Sequence, residues 1–300
     1  MAWKPSGGNT DPREVLTRSA PPPDLVLSYG TGKEHVADLR LPAPSGITGP
    51  DHGPGAPLVV LLHGGFWRVA YDRAHVGPLA SGLALAGYAV CVPEYRRTGQ
   101  AGGGWPGTFD DVAAAVDTLP GLAAEAAAGL VDPTLVLLAG HSAGGHLALW
   151  AASRNRLPAG VAWHRSVSSV RGVVALAAVS DLAACAEQDL GRGAAVLLMG
   201  GAPERYPGRY AQADPARLLP VPARVRLVHG ELDDVVPCGM SLEYAERAAR
   251  AGCDVACDVL PGCGHFEVID PLSGAWPRVL SAFRSLIQPS GPPASVLRDP

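Results

Sequence analysis

The sequence is short of charge: Asp, Glu, Lys and Arg make up only 17% of its 300 residues, and they sum to a net charge of −4 with a pI near 6.1. A nucleic-acid or anionic-membrane partner needs a basic surface, so this balance argues against both. No run approaches the ~18 apolar residues of a membrane span. No early stretch joins a basic start to an apolar core, as a secretory signal would. Cysteine is also scarce and scattered: the six residues Cys91, Cys185, Cys238, Cys253, Cys257 and Cys263 form no C-x-x-C pair. Neither a disulfide framework nor a zinc site is expected, and reduced thiols in a cytoplasmic protein are. What is plentiful is glycine (37), proline (29) and hydrophobic side chains (47%), the composition of a globular chain with many turns.

Residues 1–23 are polar and Pro-rich and read as a flexible lead-in with a short helix near 11–18, while 288–300 reads as a disordered tail. Between them, at 24–287, apolar strands alternate with helical stretches in a single domain. Strands are expected at 24–29, 34–41, 58–62, 88–92, 135–139, 170–179, 223–228 and 254–260. Helices are expected at 72–86, at 109–128 with Thr108 as cap and an interruption at Pro120-Gly121, after Ser142, at 239–251 and at 274–287. The weaker periodicity of 180–222 marks a short cap segment. This alternation implies an α/β architecture: a mostly parallel eight-stranded sheet with an antiparallel N-terminal edge and helices on both faces. Chemistry in such sheets collects beyond the C-terminal ends of the strands.

One strand end stands out. The apolar run from Leu135 stops at Gly140-His141-Ser142-Ala143-Gly144 and resumes with helical spacing. This is a Gly-x-Ser-x-Gly elbow between strand and helix, in which the flanking glycines allow close packing and the serine hydroxyl stands clear of the backbone. A serine nucleophile needs a base and an acid that orients the base. Of the nine histidines, His265 follows the last strand in a glycine-rich loop and satisfies the order serine, acid, histidine. His141 and His146 are too near Ser142 in sequence to face it and are expected to pack around the elbow. His63 and His229 end strands and are expected to brace loops; His35, His52, His75 and His164 read as surface or structural residues. The acid comes from Asp233 or Asp234 after the seventh strand, with Asp181 in reserve. Gly64 and Gly65, in His63-Gly64-Gly65-Phe66-Trp67, and the N–H of Ala143 are the expected oxyanion donors. Phe66, Trp67 and Trp105 are the candidate pocket walls, and Leu182, Leu198, Met199, Tyr206 and Tyr210 the candidate cap contacts.

These motifs resemble the α/β-hydrolase superfamily over about 24–287. More narrowly, His63 to Trp67, Gly140 to Ala148 and His265 to Ile269 look like the esterase/lipase branch that includes kynurenine formamidases (arylformamidases). The resemblance implies an α/β-hydrolase fold and places the acid at the Asp of His-Gly-x-x-Asp, here Asp233, with His265 as base. It implies a serine hydrolase acting through an acyl-enzyme on Ser142, with a small ester or formamide as substrate and no cofactor or metal. Kynurenine formamidase is the alternative physiological activity, and a non-catalytic ligand-binding protein a remote one. Some relatives carry a third glycine where Phe66 stands, so a bulky acid side of the substrate is expected to be restricted. The short cap argues against a lipase lid. Oligomeric state is left open, a homodimer included.

Overall fold

The computed structural model describes residues 11–43, 55–167 and 169–288. Eight strands form one sheet in the order β1-β2-β4-β3-β5-β6-β7-β8. They are β1 (Leu25–Ser28), β2 (Val36–Arg40), β3 (Ala56–Leu62), β4 (Ala89–Pro93), β5 (Val131–His141), β6 (Val170–Leu176), β7 (Arg224–Gly230) and β8 (Val255–Leu260). β1 and β2 run antiparallel at the edge and the other strands are parallel, as the alternation of elements requires.

β3 is apolar over 58–62 and β5 over 135–139, where both faces of the sheet are covered. In β3, Leu58, Val60 and Leu62 point into one core while Val59 and Leu61 point into the other; β5 divides Val136 and Leu138 from Leu137 and Ala139 in the same way. That division follows the two-residue period of a strand. Helices α2 (Gly107–Ala126), α3 (Ala143–Ala152) and α7 (Cys238–Arg250) cover the first core with Phe109, Leu147 and Tyr244. α1 (Gly77–Leu85) and α8 (Trp276–Ile287) cover the second with Leu79, Leu83, Val279 and Phe283.

Several details differ from expectation. α2 runs unbroken through Pro120, which lies on its partly exposed side, where a missing ladder bond costs least. Its N-cap is Pro106; Thr108 lies inside the first turn, donating to the Arg96 carbonyl (2.6 Å) and accepting from Gly104 N (3.0 Å). Segment 180–222 folds into the short helices α4 (Leu182–Glu187), α5 (Ala194–Met199) and α6 (Pro207–Ala213). Leu182, Leu198, Met199 and Tyr210 are fully buried there, whereas Tyr206 stays partly exposed with the Arg209 guanidinium 4.0 Å over its ring.

The lead-in at 11–23 packs against the domain rather than waving free. A 3-10 turn, Pro12–Leu16, capped by Asp11, buries Val15 in the second core. Arg18 pairs with Asp270, and Arg40 donates to the carbonyls of Pro21 and Pro22. Residues 1–10 and 289–300, where the remaining lead-in and the tail were expected, lie outside the described residues, as does His52. Among the described residues no helix is long and apolar enough to cross a membrane. All six cysteines are free thiols.

Candidate active site

β5 ends at His141 and α3 begins at Ala143, so the whole reversal falls on Ser142. Its backbone sits at φ 56°, ψ −118°, a conformation that costs a non-glycine residue of order 1–3 kcal/mol. The surroundings enforce it: Ser142 N donates to the Leu176 carbonyl (2.8 Å), and the Ser142 carbonyl accepts from His146 N (3.1 Å) and Val179 N (3.2 Å). A Cβ on Gly140 would lie 2.1 Å from the Gly144 carbonyl oxygen, and one on Gly144 2.1 Å from that of Leu62. The glycines of the motif are therefore required by close approach of strand and helix.

His265 comes from the loop after β8. This loop meets the loop after β7 so closely that a Cβ on Gly230 would lie 2.3 Å from the Gly264 carbonyl oxygen. The contact brings His265 Nδ1 to 2.6 Å from Asp233 Oδ2. Nδ1–H therefore donates to the carboxylate, and Nε2 is left with its lone pair. Asp233 Oδ2 also accepts from His229 Nε2 (3.0 Å), and Oδ1 accepts from the amides of Val235 and Val236 (2.8 Å each). Burial opposes charge on Asp233, but the bonds from His229 and His265, the field of His265 and the Val236 amide outweigh it. The carboxyl is held well below the usual carboxylate range. Beneath it, Ser241 Oγ donates to His229 Nδ1 at 2.7 Å.

The other candidate acids are elsewhere. Asp234 is exposed, 3.9 Å from Arg13. Asp181 caps α4 through Ala184 N and pairs with Arg247.

Ser142 and His265 line one cavity of about 220 Å³, with Leu16, Gly65, Phe66, Tyr71, His75 and Phe266 among its walls. Ser142 is 2% exposed and His265 4%, so both side chains are shielded from bulk solvent. Neither Ser142 Oγ nor His265 Nε2 has a hydrogen-bond partner among the described residues. Nucleophile–base contacts are often long before substrate arrives. Larger hollows, about 550 Å³ beside His35 and 540 Å³ beside β8, lie away from the serine.

The loop after β3 forms another wall. Gly65 takes φ 104°, and Phe66 and Trp67 follow at 50° and 55°. The Gly65 and Ala143 amides have no partner among the described residues, as an oxyanion site requires. Beneath this loop the Tyr95 hydroxyl donates to the His63 carbonyl (2.7 Å), while His63 Nε2 donates to Glu94 Oε1 (2.9 Å). Of the expected pocket walls, only Phe66 borders the cavity. Trp67 is fully buried, edge-on to His146, and anchors the loop from inside. Trp105 packs edge-on against Phe109 and Trp163 at the cap, its amide on the Leu198 carbonyl. Trp67 is thus a core residue, and Trp105, partly buried, packs against the edge of the same core.

Sequence reasoning missed Leu16, Tyr71, His75 and Phe266 as walls. Leu16 and His75 sit in short turns with no periodicity, and only the fold brings them to Ser142. Among the described residues, no group of three or more His, Cys, Asp or Glu side chains is arranged to hold a metal ion.

A profile of the BD-FAE family matches residues 47–247. The chain belongs to the BD-FAE family. This places it among the esterase families of the α/β-hydrolase fold. Over 273 residues it is 25% identical to a probable isoprenylcysteine alpha-carbonyl methylesterase (ICME) of Oryza sativa subsp. japonica, covering 86% of this chain. The match spans only 62% of the rice protein. A truncated carbohydrate esterase from gut microbiota superposes with a TM-score of 0.70 at 21% identity, covering 89% of this chain and 99% of that one. Esterase B of Lactobacillus Rhamnosis gives 0.71 at 18% identity, covering 92% and 89%. Butyrate-bound Est2 of Thermogutta terrifontis gives 0.66 at 20%, covering 89% and 96%. At such identities these likenesses speak for the fold alone.

Proposed function

We propose that this BD-FAE family member is a serine esterase that cleaves small carboxylic esters through an acyl-enzyme on Ser142. The observation that carries the reading is the 2.6 Å bond from His265 Nδ1 to Asp233, in a loop whose histidine shares one cavity with the strained Ser142. His265 Nε2 takes the Ser142 proton as Oγ attacks the ester carbonyl, and Asp233 stabilises the imidazolium that results. The Gly65 and Ala143 amides receive the oxyanion, each such donor being worth ~3 kcal/mol. When the tetrahedral intermediate collapses, His265 returns the proton to the leaving alkoxide. Water then repeats the sequence on the acyl-enzyme, releasing the acid and restoring Ser142.

A cavity of about 220 Å³ walled by Phe66, Tyr71, Phe266 and Leu16 suits a short acyl group. The rice relative is named for a methyl ester, and Est2 was crystallised with butyrate and propionate; small groups fit this cavity likewise. The test is a substrate series of p-nitrophenyl acetate, butyrate and octanoate beside N-formylkynurenine. Turnover should be highest for acetate or butyrate and vanish in Ser142→Ala. Undiminished turnover in Ser142→Ala would sink the mechanism, and N-formylkynurenine as the best substrate would move the activity to formamides.

A further inference from the structure

Two buried histidines beside the serine have no part in the proton transfers above. His75 lies on the 3-10 turn Arg73–Val76 ahead of α1, and His141 closes β5. Their rings stack at 5.3 Å and 27°. His75 Nε2 is 3.0 Å from His141 Nδ1, and His141 Nε2 is 2.9 Å from the backbone carbonyl oxygen of His265. A carbonyl only accepts, so His141 carries its proton on Nε2. Its Nδ1 is then an acceptor, and His75 must donate from Nε2. One proton arrangement satisfies both bonds, with both rings neutral. Burial, reinforced by neighbouring histidines, pushes His75 down to about 3 and His141 well below the usual range, so the arrangement persists at neutral pH.

This pair lies against three parts of the proposed machinery: the serine, the base and the oxyanion loop. His141 immediately precedes Ser142, and its ring lies 4.5 Å from that of His265. On the other side, a Cβ on Gly64 would come within 3.0 Å of the His141 carbonyl oxygen, 3.1 Å of its Nδ1 and 3.2 Å of His75 Nε2. The oxyanion loop thus rests on the same hydrogen bond. Asp233 bonds the His265 ring, whereas His141 bonds its backbone.

We infer that His141, held in the required tautomer by His75, is a positioning residue that pins the backbone of His265 relative to Ser142 and the oxyanion loop. The inference rests on the serine-esterase reading above. With the backbone pinned by His141 and the ring by Asp233, His265 Nε2 has a single position. Geometry of this kind matters because a shift of about 1 Å in a reacting group can cost on the order of 100-fold in rate.

The experiment compares His141→Leu, His141→Gln and His75→Phe in kcat per active site, counted by titration with a fluorophosphonate, and in KM for p-nitrophenyl acetate. His141→Leu should lower kcat per titrated site by about 10- to 100-fold with KM changed less than about twofold. His141→Gln, whose amide can reach the same carbonyl, should recover most of the loss, and His75→Phe should lose less than His141→Leu. Should His141→Leu not fold, His141→Asn is the substitute, since its shorter amide cannot reach and the same loss is expected. Unchanged kcat per site, with only the titratable fraction reduced, would overturn the inference, as would a Gln variant as slow as the Leu one. Turnover surviving in Ser142→Ala would instead overturn the esterase mechanism, so the two failures are told apart.

Discussion

His265 is held from two sides by opposite chemistry. On the Asp233 side the partners are charged or aimed at charge: a carboxylate kept ionised by two histidines and two amides, with Ser241 behind His229. On the His141 side the partners are neutral: two imidazoles bonded to each other and to a carbonyl, both kept uncharged near neutral pH by burial. The first side can respond to a proton arriving on His265, whereas the second cannot. In the proposed cycle, stabilisation of the imidazolium therefore falls to Asp233, and the His75–His141 side supplies placement alone.

Breaking the charged side should cost most. Asp233→Asn keeps the shape but invites the wrong His265 tautomer, and kcat should fall by about 10³- to 10⁴-fold; steady-state kinetics checks this, and a loss below tenfold would move the orienting role to another residue. On the neutral side, Gly64→Ala pushes a methyl to 3.1–3.2 Å from the two bonded ring nitrogens. A fall of roughly tenfold in kcat is expected, toward the ~100-fold that an ångström of misplacement costs. Ser241→Ala strips His229 Nδ1 of its donor in a fully buried place. Urea unfolding should register a loss of about 1–3 kcal/mol, with a smaller effect on rate than at Asp233.

The subtlest difference between the sides is in pH. His75 and His141 have folded values below the ~6.5 of an unfolded histidine. The unfolded chain therefore binds protons first, and stability declines as pH falls below about 6.5. Asp233 has a folded value below the ~3.9 of an unfolded aspartate. Its contribution is complete above about pH 4 and is lost as pH falls through the folded value. Thermal melts between pH 7 and 5 should thus flatten in a His75→Phe/His141→Leu double variant, while Asp233→Asn should alter the slope only below about pH 4. Equal slopes in all three proteins would contradict the assignment of neutral rings.

What the sequence made legible were the pieces that sit at strand ends. A five-residue apolar run such as 58–62 can only be a covered strand in this alternation, and the glycines after His63 and His229 and around Ser142 mark where backbones approach. The elbow, the donors and the orienting Asp are local in this sense. The N-terminal turn is not: Leu16 reaches the cavity only because Val15 is buried in a core built from strands and helices far along the chain. The cap helices, six or seven residues each, are too short to show a helical period. Trp67 and Trp105 look alike in sequence to any aromatic pocket wall, and only packing reveals that Trp67 is fully buried and Trp105 lies partly buried against the core. His75 and His141 carry no spacing signal, because their bond joins a turn to a strand end 66 positions away.

The central claim is that Ser142 is the nucleophile and His265, oriented by Asp233, its base. Labelling with a fluorophosphonate, followed by mass spectrometry of the modified peptide, tests it most directly. A single adduct on Ser142, absent from Ser142→Ala and formed much more slowly in His265→Ala, is the predicted result. An adduct at another serine, or equal labelling rates with and without His265, would contradict it.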